Sequence, residues 1–143
     1  MDTANAVRTR LRFDSLEHVT TPDVSGRGSV RLEWSGEFFE GTVSCRETQQ
    51  GVLKAASQAT LAATLSSMAA LASDQVHLEV VGVKAVRAFD GWVVVTRING
   101  SAGSDQYRLR GRAPCEREEA PPAAAVKAIL NASNRVMEQR VAR

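Results

Sequence analysis

Six stretches of this chain read as strands, three of them by alternation of apolar and polar residues, and two longer stretches repeat apolar positions at helical spacing. From Thr9 to Asp14, Arg10 and Arg12 fall on one side and Leu11 and Phe13 on the other. That two-residue period predicts a half-buried strand within residues 7–19. Residues 20–28 hold Pro22, Asp23, Gly26 and Gly28 and read as a loop by composition. Val30, Leu32 and Trp34 alternate with Arg31 and Glu33 in a second strand, Gly36-Glu37 is a candidate tight turn, and residues 38–44 return as a third. A helix follows. Ser44 and Glu47 have the spacing of a capping box, with Thr48 as the alternative cap. Leu61, Leu65, Met68 and Ala72 lie on one helical face, and Ala55, Ala56, Ala59, Ala62 and Ala63 keep the remainder small. Ser73, Asp74 and Gln75 end this helix.

The second half repeats the order. Residues 76–89 read as a long strand with a bulge at Gly82, and Asp90-Gly91 is a hairpin signal that uses the freedom of glycine at positive φ. Residues 92–98, nearly all apolar, suggest the most buried strand. Residues 99–104 read as a flexible loop. In residues 106–113, Tyr107, Leu109, Gly111 and Ala113 alternate with Arg108, Arg110 and Arg112. A last helix begins near Pro121, with Val126, Ile129, Leu130, Ser133, Val136, Met137 and Val141 on one face.

The two halves share more than their order. Gly41 and Cys45 recur as Gly111 and Cys115, 70 positions on, and the Ala59–Ala63 helix core recurs as Ala128–Ala132 after 69. Such a period fixes architecture before anything else. The expectation is an α+β fold: a duplicated βββα unit, with antiparallel sheets and two helices packed on one side of them. The pseudo-repeats span roughly residues 7–73 and 74–141 of a single domain, 1–143. Two such units side by side share one core. Apolar residues left on the uncovered sheet faces would predict a homodimer.

Composition narrows the class only slightly. The chain has 143 residues, of which 24% are charged and 43% hydrophobic, with a net charge of +2. That is ordinary for a folded soluble domain and argues against disorder. It is too balanced to point to nucleic acid alone. Residues 55–72 are too short and too interrupted by serine to span a bilayer. No basic stretch followed by an apolar one opens the chain. A cytoplasmic protein with no membrane partner is therefore expected, and two cysteines make no disulfide framework.

Leu130-Asn131-Ala132-Ser133-Asn134-Arg135 is similar to a run that commonly closes the last helix of the C-terminal regulatory domain of 2-isopropylmalate synthase and citramalate synthase. That domain is also a doubled βββα unit, and the likeness covers roughly residues 11–137. Gly51-Val52-Leu53-Lys54-Ala55 resembles a worn form of the family's Gly-rich turn, whose Gly-x-Gly-Pro is replaced here by residues 47–51. A catalytic barrel of ~200 residues or more has no room in this chain. The resemblance implies a stand-alone, non-catalytic, homodimeric regulatory or scaffold module. It would bind a small effector, such as an amino acid, between its halves and serve a separate enzyme partner. Gln50, Gly51, Asn131, Asn134 and Arg135 are the ligand-binding positions it implies.

The remaining residues offer little chemistry. His18 and His77 lack ligand spacing, so no metal site is expected, and no cofactor. Cys45 and Cys115 each stand where a strand gives way to a helix, a place where a thiolate can be stabilised, but packing is the simpler reading. No catalytic set is assigned. Arg108, Arg110 and Arg112 share a strand face, and Arg8, Arg10 and Arg12 repeat the spacing. A basic face of this kind can hold phosphates, although few aromatics accompany it. Glu116, Glu118 and Glu119 read as a solvated loop favourable to the helix behind them. Two rival functions follow: a small hot-dog-like thioesterase, which needs one long helix wrapped in a sheet, and a nucleic-acid binder working through its arginine strands.

Overall fold

A computed structural model describes residues 10–20, 25–71, 75–115 and 121–141. The elements run β1 Arg12–Thr20, β2 Ser25–Trp34, β3 Glu37–Arg46, α1 Gln49–Leu71, β4 Val76–Ala88, β5 Gly91–Ala102, β6 Asp105–Cys115 and α2 Pro121–Val141. This is the duplicated βββα unit of an α+β fold. Each triplet of strands forms its own antiparallel sheet, ordered β1-β2-β3 and β4-β5-β6.

The inward alternation builds one core from both units. Val30, Leu32 and Trp34 of β2 and Val94 and Ile98 of β5 are buried with Val126, Ile129, Val136 and Met137 of α2. Burying one side chain of this size contributes about 1.5–3 kcal/mol. Helix α1 lies on β3 and β2 and reaches β4; α2 lies on β6 and β5 and touches β1; the helices also pack on each other. Each helix thus covers its own sheet and borders the first strand of the other.

Glycine decides how close the helices come. A Cβ on Gly41 would overlap the Ala59 carbonyl oxygen and lie 2.8 Å from Ala63 N. One on Gly111 would overlap the Ala128 carbonyl oxygen and lie 2.9 Å from Ala132 N. Helix backbone therefore rests on strand backbone at the same place in both units, and the 69- and 70-residue offsets of the sequence are this contact.

Helix α1 is buried on most sides, which is why its apolar stripe is broad. Ser57, Thr60, Thr64 and Ser67 are completely buried. Ser57, Thr60 and Thr64 donate to the carbonyl four residues back, at 3.0, 2.7 and 2.9 Å, and Ser67 donates to Thr64 O at 2.6 Å. Their hydroxyls are satisfied within the helix and add little bulk at its contacts. Ser67 Oγ also lies 3.9 Å from Met137 Sδ of α2.

Several expectations shift. Residues 25–28 are strand, not loop, because Gly26 and Gly28 pair with both neighbours across the sheet. Residues 99–102 also extend β5, since the length of β4 draws out its partner as far as Ala102 opposite Val76. The β2–β3 turn is Ser35-Gly36, both at positive φ (49° and 86°), one residue earlier than expected. At the β4–β5 turn the positive φ falls on Phe89 (56°) rather than on Gly91. The expected bulge is present, with a register shift between Val80 and Gly82. Pro114 is accommodated because β6 is an edge strand. Arg8, Pro22, Asp23, Ala72, Ser73, Asp74, Glu116, Glu118 and Glu119 lie outside the described residues.

The uncovered faces differ. On the first sheet, Ser29 and Thr42 hydroxyls are 3.1 Å apart, Arg31 pairs with Asp14 at 3.6 Å, and its guanidinium sits 3.9 Å over the Phe38 ring. That face is largely polar, unlike the apolar face expected. The second sheet presents Val86, Val93 and Val95, partly buried, beside a row of cations. Among the described residues no helix is long and apolar enough to cross a membrane.

The cap of α1 is Thr48, whose Oγ1 accepts from Gly51 N at 2.9 Å. Ser44 stays in β3 and Glu47 turns away, so the expected Ser44–Glu47 box does not form. Thr48→Ala is therefore expected to lower unfolding free energy by about 1 kcal/mol, and Ser44→Ala to change it by less than about 0.5 kcal/mol. Chemical denaturation of the two variants checks this; the reverse ranking would return the cap to Ser44.

Candidate functional site

Among the described residues, two places concentrate chemistry-bearing side chains, one in each unit. The first is a groove on the outer face of β4-β5-β6. Here Gly82, Arg97 and Arg110 stand side by side across the three strands, and Lys84, Val95 and Arg112 form the next row. The β4 bulge and the bare Gly82 leave the floor open, since nothing lies within 4 Å of where its Cβ would be. Thr96 Oγ1 donates to the Gly82 carbonyl at 3.0 Å and Gln50 Nε2 to the Val83 carbonyl at 2.8 Å, so the bulge is held by side chains of β5 and α1. The groove encloses about 710 Å³, and Asn131 closes its β6 side.

Its charge is one-sided. Lys84, Arg97, Arg110 and Arg112 line it, and all four are exposed. None of them pairs with a carboxylate among the described residues. Arg108 continues the row on the same strand face, as the sequence pattern predicts. Of the other arginine set, Arg10 pairs with Glu138 at 3.6 Å and Arg12 is exposed. Like charges held together without counter-charges raise the local potential and draw anions.

The five ligand positions implied by resemblance do not converge. Asn131 lines the groove, but its Oδ1 also accepts the Arg112 backbone N–H at 3.2 Å, which closes an open edge of β6. Gln50 is engaged with Val83. Gly51 belongs to the cap of α1. Asn134 lies about one turn further along α2, with its Oδ1 buried and without a partner among the described residues, and Arg135 is exposed.

The second place is the corner where β3 gives way to α1. His18 Nε2 of β1 lies 2.6 Å from Glu47 Oε1, and Cys45 Sγ stands with them; the three ligand atoms lie within 4.8 Å of one another. Gly26 of β2 makes the room. A Cβ there would overlap the Glu47 carboxylate and come within 3.1 Å of His18 Cε1. Nothing in the spacing of His18 and Cys45 along the chain joins them. The signal that unites them is register, since Cys45 pairs with Gly26, Gly26 with Thr20, and His18 is two residues back on the same face. Register depends on where β2 begins, and reading residues 20–28 as a loop hid it.

The surroundings of both thiols favour the protonated form. Burial pushes the Cys45 thiol above its ordinary range, and the neighbouring Glu47 charge adds to this. Burial alone does the same to Cys115. The hot-dog alternative also lacks its scaffold, because two comparable helices lie against two separate sheets. Both thiols are expected to alkylate more slowly than a free small thiol at pH 7, with rates rising as pH approaches their raised values. Iodoacetamide labelling followed by mass spectrometry measures this; labelling faster than the free thiol would reinstate a nucleophile. Comparison with protein-family models and with curated proteins finds no match to the chain.

Proposed function

We propose that the protein is a non-catalytic regulatory or scaffold module that binds a small anionic metabolite, a carboxylate or phosphate, in the groove on the outer face of β4-β5-β6. The observation that carries this reading is the set of four cations, Lys84, Arg97, Arg110 and Arg112, gathered without a carboxylate partner among the described residues. Planar guanidinium groups suit carboxylate and phosphate oxygens in bidentate fashion. The duplicated βββα order supports the likeness to synthase regulatory domains, and an effector such as an amino acid would present its carboxylate to the same cations.

The reading includes a homodimer, which could in turn serve a separate enzyme. Phe89 is completely exposed at the tip of the β4–β5 hairpin, and Ala88, Val93 and Pro114 flank it next to the groove. A second copy seated on this patch would bring two basic grooves to one seam. Their mutual repulsion would weaken pairing until an anion neutralised it.

A second reading, binding of single-stranded nucleic acid, is favoured by the same Phe89, a free aromatic face beside a basic sheet. Salt separates the two, since polyanion binding loses affinity by orders of magnitude over a few-fold rise in salt.

At low salt, a panel of amino acids, carboxylates and phosphates is expected to contain a compound that stabilises the protein saturably. The gain is about 2.7 kcal/mol when ligand stands at 100 times its dissociation constant. Replacing Arg110 and Arg112 with glutamate together is expected to weaken binding by at least ~10-fold, the scale of one lost charged hydrogen bond. Sedimentation should show dimer content rising with the same ligand. A panel without any stabilising compound would remove the metabolite reading, and tight, steeply salt-dependent binding of an RNA oligonucleotide would replace it.

A further inference from the structure

We infer that His18, Cys45 and Glu47 form a binding site for one divalent transition-metal ion of the Zn²⁺ class, with His18 Nε2, Cys45 Sγ and a Glu47 carboxylate oxygen as ligands and a fourth position open to water or an exogenous ligand. The donor set selects the ion. One imidazole nitrogen, one sulfur and one carboxylate oxygen suit Zn²⁺ or its analogue Co²⁺, whereas Mg²⁺ and Ca²⁺ are held by oxygen alone.

The geometry is close to what coordination needs. With metal–ligand bonds of about 2.0–2.3 Å, a tetrahedral site sets its ligand atoms roughly 3.3–3.6 Å apart. Here all three atoms lie within 4.8 Å of one another, and the tightest pair, His18 and Glu47, is at hydrogen-bond distance, 2.6 Å. Shifts of about an ångström at side-chain ends close the difference. The site is also reachable, since the side chains of His18 and Glu47 retain 27% and 21% of their exposure.

The repeat supplies an internal comparison. In the second unit Cys115 occupies the place of Cys45, but its cross-strand partner is Trp92, where Cys45 has Gly26. The register position of His18, two residues further along the sheet, is taken by Ala85. Glu47 has Arg117 as its counterpart 70 positions on. The fold therefore accepts a bulky indole at this corner. The first unit instead has a glycine, and the space so left is occupied by the Glu47 carboxylate beside His18. An ion pair alone would explain two of the three residues and would contribute little at partial exposure. It gives no role to the thiol.

Binding would exchange protons for the ion. The imidazole Nε2 gives up its hydrogen bond to Glu47 and the Cys45 thiol releases its proton to solvent, since both ligand atoms must be free of protons to ligate. Affinity is thus expected to rise with pH. The ion would join β1, the end of β3 and the link that leads into α1.

The test is a titration of the full, metal-stripped chain with Co²⁺, read by absorption. One equivalent should produce a thiolate-to-cobalt charge-transfer band and visible ligand-field bands, and Zn²⁺ should abolish both. Cys45→Ser should remove the charge-transfer band, while Cys115→Ser should keep it. His18→Ala and Glu47→Gln should each weaken binding by ~10-fold or more, since losing even an outer-sphere partner has that effect. Gly26→Ala should weaken it while preserving the charge-transfer band, because it displaces the carboxylate and not the thiol. A wild-type chain without a charge-transfer band up to mildly alkaline pH would overturn the inference. So would a band that survives Cys45→Ser and is lost in Cys115→Ser.

Discussion

The structure depends on a contact that holds no side chain on one of its sides: helix backbone laid directly on a strand at Gly41 and again at Gly111. Interiors are packed without spare volume, so a strand with a larger residue there would hold the helix farther off and open gaps along its length. Because α1 and α2 sit low on β3 and β6, they can also meet each other and still reach β4 and β1 of the opposite unit. The small residues of α1 follow from the same constraint. Ala56, Ala59, Ala63, Thr60, Thr64 and Ser67 are all essentially buried, and hydroxyls bonded within their own helix let a polar residue serve where bulk is excluded.

Duplication leaves each unit free to vary away from that contact, and both concentrations of chemistry lie where the halves have diverged. On the outer face of the first sheet, Arg31 pairs with Asp14 and lies over the Phe38 ring. On the outer face of the second sheet, Lys84, Arg97, Arg110 and Arg112 gather around a bulge without a carboxylate partner among the described residues. At the strand–helix corner the difference is reversed: the second unit has Trp92 opposite Cys115 and the first has Gly26 opposite Cys45. What the two units share accounts for the fold, and what they do not share indicates where to look for function.

Much of this fold was legible from residues because the repeat appears twice in the chain. Strict alternation in Val30, Leu32 and Trp34 and helical spacing from Val126 to Met137 named core residues that are buried. The losses have physical causes. Gly26 and Gly28 lower strand propensity, yet pairing on both sides holds them in β2. Residues 99–102 have loop composition but face the long β4. The arginine face was readable from alternation in β6, whereas Lys84 and Arg97 join it only through register across two more strands. The His18, Cys45 and Glu47 cluster needed the same register together with the start of β2. Phe89 at positive φ had no sequence signal, because Asp90-Gly91 is the stronger turn dipeptide.

The most direct measurement of the central constraint is equilibrium unfolding of three single variants, Gly41→Ala, Gly111→Ala and Gly82→Ala. A methyl group at the first two meets helix backbone, which cannot yield as a side chain can, while at Gly82 it meets open space. Gly41→Ala and Gly111→Ala should each lose about 1–3 kcal/mol or more, by similar amounts. Gly82→Ala should be neutral or gain up to ~1 kcal/mol from a less flexible unfolded chain. Equal stabilities in all three variants would contradict the account.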